Sequence, residues 1–87
     1  MLIVDDDNEV ELIDIQQALS NRIRALREER NLRQEDMEEY GIPWKTLQSV
    51  EYGKTDVKLS TLLKLAEAFE MSLSELLTLK EMNELSL

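Results

Sequence analysis

Apolar residues recur along this chain at helical intervals, interrupted by a few turn-forming residues. Leu19, Ile23 and Leu26 follow one another three or four residues apart, the period of a single helix face. They predict a first helix over residues 15–29, with Asp14 as N-cap and Gln17 completing a capping box. Asn31 suits the C-terminal cap because Asn tolerates the left-handed conformation. Leu32 then anchors a short second helix, residues 34–39, with Met37 inward. Gly41 makes a turn, Ile42 packs beneath it, and Pro43 opens a third helix, residues 43–51, where its missing N–H is no loss. Leu47 and Val50 face inward there, and Gly53 lies just past the end. Leu59, Leu62, Leu63, Ala66 and Phe69 form one broad apolar face on a fourth helix, expected in the core, with Ser60 as N-cap. Ser72 and Glu75 make a second capping box, opening a fifth helix with Leu73, Leu76 and Leu77 inward. Beyond it Leu79, Met82 and Leu85 continue an apolar stripe with little left to cover it, which points to a dimer contact.

The first fourteen residues read differently. "LIV" and "VELI" flank an acidic turn, so the stretch is either two short strands or an arm with strand character. The organisation expected is an acidic N-terminal arm at 1–14, a helical domain at 15–80 and a C-terminal tail at 81–87.

Composition narrows the class. Eighty-seven residues suit one domain, and two Gly with one Pro are too few for the turns of an all-β protein. The fold class is therefore all-α, five helices. The chain has no Cys, which excludes disulfides, thiolate metal sites and cysteine nucleophiles. It also has no His, the commonest general base. Acid pairs such as Asp5 with Asp7 or Glu28 with Glu29 have no scaffold to enclose them. We expect no enzyme, no cofactor and no metal. The opening apolar run "MLIV" is far too short to cross a membrane, and the expected location is the cytoplasm.

The charge is uneven. Net charge is -9, but residues 1–19 hold six acids and no base, whereas residues 20–58 hold eight of each. Eight of the ten bases thus sit in this middle block, which also holds the second and third helices.

Two short helices joined by a tight Gly turn make a helix-turn-helix. The first lies across phosphates, and the second offers its outward side chains to base edges in the major groove of double-stranded DNA. Trp44, Lys45, Gln48 and Ser49 are the outward set, with Thr46 beside them. Lys45 suits guanine or phosphate, and Gln34 and Gln48 suit adenine edges.

The segments "LSNRIRALREERNLRQEDM", "GIPWKTLQSVEYGK" and "LSTLLKLAEAFEMSLSELL" resemble the Xre family, the Cro and lambda-repressor type of helix-turn-helix. The resemblance covers about residues 19–77 and implies a five-helix fold and a homodimeric transcriptional regulator, usually a repressor. It implies that Gln34 contacts a phosphate or base, that Trp44, Lys45 and Ser49 contact bases, and that Arg33 and Lys54 stand near phosphates. It also implies that Arg27 and Glu51 pair structurally. The chain departs from the family pattern twice: the stretch from Gln34 to Gly41 is one residue shorter, and Glu38 or Glu39 stands where a small residue is usual.

The function expected is sequence-specific regulation of transcription by a homodimeric repressor. The alternative is a protein-binding module, such as an antitoxin whose acidic ends neutralise a basic toxin.

Overall fold

A computed structural model describes the backbone of residues 6–53 and 56–79, and the side chains of 15–53 and 56–79. Its elements are α1 (Asp6–Glu29), a 3-10 helix (Gln34–Tyr40), α2 (Trp44–Tyr52), α3 (Leu59–Ala68) and α4 (Leu73–Leu76). The described residues form five helices and no strand, the all-α class that the periodicities predict.

α1 is longer than predicted. It begins at Asp6, so residues 6–14 continue the helix instead of forming strands, and Asp14 lies inside it rather than at its N-cap. Nothing in the sequence stops a helix there: the first Gly is Gly41 and the only Pro is Pro43. Acidic residues in a first turn also complement the positive end of the helix dipole. Residues 1–5 lie outside the described part.

The end of α1 follows the predicted cap. Asn31 has φ 56°, the Leu32 N–H donates to Arg27 O at 3.1 Å, and the Asn31 N–H donates to Glu28 O at 3.0 Å. This crossed pair satisfies two carbonyls that the helix end leaves open. Gly41, φ 82°, ends the 3-10 helix the same way, with Ile42 N–H to Met37 O and its own N–H to Glu38 O.

The short second helix is wound as a 3-10 helix. A 3-10 helix rises about 2.0 Å per residue against about 1.5 Å in an α-helix. The tighter coil therefore reaches as far as a longer α-helical segment would. Asp36 secures its start by accepting the Arg33 backbone N–H at 2.7 Å.

Pro43 occupies the N-cap of α2, one position before the predicted one, and Gly53 caps its end with φ 74°. A Cβ at Gly53 would stand 3.1 Å from Ser20 Oγ. That hydroxyl is buried and donates to Val50 O at 2.6 Å, tying α1 to α2.

Two expectations for α3 fail. Lys58, not Ser60, is at the N-cap. Leu59 and Leu63 are 62% and 50% exposed, while Leu65, Ala66, Ala68 and Phe69 are buried and Leu62 is half-buried. The buried face runs through Leu62, Leu65, Ala66 and Phe69, at i, i+3, i+4 and i+7. Four leucines in α3 gave periodicity more than one face to choose from, and the choice was rotated outward.

The core joins Ile23 and Leu26 of α1 to Met37, Ile42, Leu47, Val50, Leu65, Phe69 and Leu76. Arg30 stacks its guanidinium 5.3 Å from the Phe69 ring centre and donates to Phe69 O at 3.1 Å. Arg22 donates to Leu76 O and Glu75 O, each at 2.8 Å, closing the end of α4. At the start of α4 the predicted box is present: the Ser72 N–H donates to Glu75 Oε1 at 2.9 Å, and the Glu75 N–H donates to Ser72 Oγ at 3.0 Å. Leu79 is 4% exposed. It is buried within the protomer, so it is not on offer to a second copy, contrary to its predicted role as a dimer contact. Met82 and Leu85 lie outside the described residues.

Candidate nucleic-acid interface

α2 divides its residues cleanly. Leu47, Val50 and Glu51 are buried. Trp44, Lys45, Thr46, Gln48 and Ser49 are exposed, because their positions on a helix of 3.6 residues per turn fall away from that inner face. Lys45 has no hydrogen bond or ion pair among the described residues, so its ammonium is free to meet an external anion. Trp44, 41% exposed at the first helical position, presents a large apolar surface beside it.

The inner face is anchored by one carboxylate. Glu51, 3% exposed, accepts from Arg27 Nε at 2.7 Å and from Arg27 Nη2 at 3.1 Å. Gln34 Nε2 donates to the same carboxylate at 3.2 Å, and Arg24 Nη2 donates to Glu51 O at 2.7 Å. Arg27 also donates to Leu32 O at 2.7 Å. The hydrogen bond that Arg27 donates to Glu51 holds the guanidinium above its ordinary pKa, outweighing the opposing effect of burial. A forked guanidinium on a carboxylate is among the stronger pairings available. Here it fixes the angle of α2 against α1 and the 3-10 helix, which sets how the outer face is presented.

The residues expected to meet phosphates are placed less simply. Gln34 is half-buried and its amide is turned to Glu51. Arg33 is exposed, but its guanidinium reaches Asp36 at 3.1 Å and Glu35 at 3.9 Å. The hydrogen bond to Asp36 raises the Arg33 pKa, and the same contact holds the Asp36 carboxyl below its usual range. Lys54 lies outside the described residues. Glu38 stands 3.5 Å from the Trp44 N–H, so an acid sits beside the start of α2.

Two residues on this face escaped the sequence reading. Tyr52 is 63% exposed and lies four residues beyond Gln48 and eight beyond Trp44, on the same side of α2. That spacing was legible, but the adjoining Gly had marked Tyr52 as part of the turn. Arg24 comes from α1, and its side chain remains 45% exposed. Only the fold brings it to the end of α2, so no local pattern announces it.

A family model described as a helix-turn-helix matches residues 23–76. No curated protein and no solved structure matches the chain. No helix among the described residues is long and apolar enough to cross a membrane. The match spans more than half of the chain, takes in every element from the middle of α1 to α4, and agrees with the two-faced α2: the chain belongs to the Xre-like helix-turn-helix family of DNA-binding regulators.

Proposed function

We propose that this protein is a sequence-specific transcriptional repressor that acts as a homodimer in the cytoplasm. α2 enters the major groove with Trp44, Lys45, Thr46, Gln48 and Ser49 toward base edges. Arg33, Gln34 and Lys54 line the phosphates on either side, with Arg33 exchanging its contact to Asp36 for one to DNA. Two such helices one duplex turn apart would cover an operator and exclude polymerase. The observation that carries the reading is the exposure of five consecutive-turn polar and aromatic side chains on a helix whose opposite face is locked by Glu51. Occupying the operator should silence a reporter placed behind the DNA upstream of the protein's own gene. Sedimentation should give twice the protomer mass. A reporter that is unaffected or activated would refute repression, and a monomer that still binds its site fully would refute the dimer.

A second reading has its own support. Glu35, Glu38 and Glu39 are exposed on the 3-10 helix, where phosphates would pass, and the acid-rich start of the chain extends α1. These features favour a basic protein partner, such as a toxin that this chain would neutralise while repressing its own operon. Co-purification with the product of the adjoining gene, lost at high salt, would support it.

A further inference from the structure

The three exposed glutamates of the 3-10 helix, Glu35, Glu38 and Glu39, are not placed alike. Glu35 lies 3.9 Å from the Arg33 guanidinium. Glu38 reaches the next element, and its carboxylate stands 3.5 Å from the Trp44 N–H at the first position of α2. We infer that Glu38 is a base-reading residue of the interface, and that it accepts the exocyclic amino group of a cytosine in the major groove.

Position, availability and chemistry all lead there. Glu38 belongs to the 3-10 helix, but its carboxylate sits at the N-terminus of α2. A helix that docks in the major groove brings its N-terminal residues to the base edges, so this carboxylate travels into the groove with Trp44 and Lys45. It is also unspent. A separation of 3.5 Å is too long to hold an acceptor firmly, and no cation pairs with Glu38 among the described residues. Arg33, on the same 3-10 turn, is engaged by Glu35 and Asp36. A carboxylate without a partner is costly to enclose between phosphates unless a donor meets it. The donors that the major groove displays are the amino groups of cytosine and adenine. Adenine sets its N7 acceptor beside the amino group, whereas cytosine presents a donor alone. An acceptor-only side chain therefore fits cytosine. Lys45 has the opposite character, three donors and no acceptor, and suits guanine. The start of α2 thus carries one acceptor and one donor, matched to the two halves of a G·C pair.

This inference rests on the DNA-binding reading, and the experiment separates the two. Wild type, Glu38→Ala and Glu38→Gln each select duplexes from a random-sequence pool, and the bound duplexes are sequenced. Affinities are then measured on an enriched and a scrambled duplex, with thermal melts of each protein. The wild type should enrich cytosine about tenfold at one position of the site. Glu38→Ala should lose the preference at that position and keep the others. Glu38→Gln should move it to adenine, whose edge an amide suits. If Glu38→Ala tightens both duplexes alike and keeps every base preference, the carboxylate acts by repulsion alone and the inference is wrong. If it melts lower with its preferences unchanged, Glu38 only steadies the start of α2, and the inference is again wrong. A wild type whose base preferences all survive both substitutions removes the inference and leaves the DNA reading standing. A wild type that binds no duplex at any salt removes both.

Discussion

The two faces of α2 are built on opposite terms. On the inner face a single carboxylate, Glu51, gathers Arg27 and Gln34, and every charge there has its partner at hydrogen-bond distance. On the outer face Lys45 has no partner among the described residues, and Trp44 exposes much of its ring. Both faces lie on nine residues. The inner face spends its polar groups on orientation, whereas Lys45 on the outer face keeps its ammonium unspent. A recognition helix needs both conditions, because unspent donors read a base only when the helix is held at a fixed angle.

Breaking the inner face should have the largest effect. Glu51→Ala leaves the Arg27 guanidinium, 11% exposed, without its counter-charge, and removing one partner of a buried pair costs about 3–5 kcal/mol. Urea unfolding of the variant should show that loss, and DNA binding should vanish with the fold. Unfolding at the wild-type midpoint would mean that the pair does not hold α2.

The outer face should answer in the other way. Lys45→Ala should leave the urea midpoint within about 0.5 kcal/mol. Its affinity for the operator should fall by about 1–3 kcal/mol if Lys45 reads a base. An equal loss on every sequence would assign Lys45 to a phosphate instead.

A site remote from both faces sharpens the contrast. Glu70 has φ 57° and ends α3 with the same crossed hydrogen bonds that Asn31 gives α1, Met71 N–H to Ala66 O at 3.0 Å and its own N–H to Glu67 O at 3.1 Å. A glutamate in that conformation is strained where Gly is not. Glu70→Gly should stabilise the domain by about 0.5–1 kcal/mol in thermal or urea unfolding, with DNA affinity unchanged.

The smallest effect expected is with pH. Glu75 is held below its ordinary value of 4.5, chiefly by the Ser72 backbone N–H. Asp36 is held below 3.8, first by the Arg33 side chain and then by its backbone N–H. A depressed folded pKa gives stability that is present above the unfolded value and is lost as pH falls through the folded one. Melting temperature should therefore decline below about pH 4, and Glu75→Gln should remove part of that decline. If the variant's decline matched the wild type's, these caps would not be its source.

Much of this was legible beforehand where local chemistry decides. Ser72 with Glu75, Asn31, Gly41 and Gly53 are caps that a few neighbouring residues specify. Ile23, Met37, Leu47 and Phe69 follow from period alone. The reading failed where the deciding partner lies far along the chain. Leu59 and Leu63 looked like core because leucines crowd α3, and only packing against α4 and the 3-10 helix selects which of them turn inward. Leu79 looked unpaired because nothing nearby in sequence covers it. The start of α1 was misplaced because acids were taken for a turn, although without Gly or Pro they serve a helix N-terminus equally well. In the candidate site, the outer residues of α2 could be read from spacing, whereas Arg24 could not, since it reaches α2 only through the tertiary fold.

The central claim is that the outer face of α2 reads sequence. It is tested most directly by titrating wild type and Lys45→Ala on the DNA upstream of the protein's own gene and on a scrambled duplex of equal length, at several salt concentrations. The account predicts that the wild type binds the upstream DNA more tightly at every salt concentration, and that Lys45→Ala narrows the gap by about 1–3 kcal/mol while its melting temperature holds. Equal wild-type affinity for the two duplexes throughout would contradict the claim.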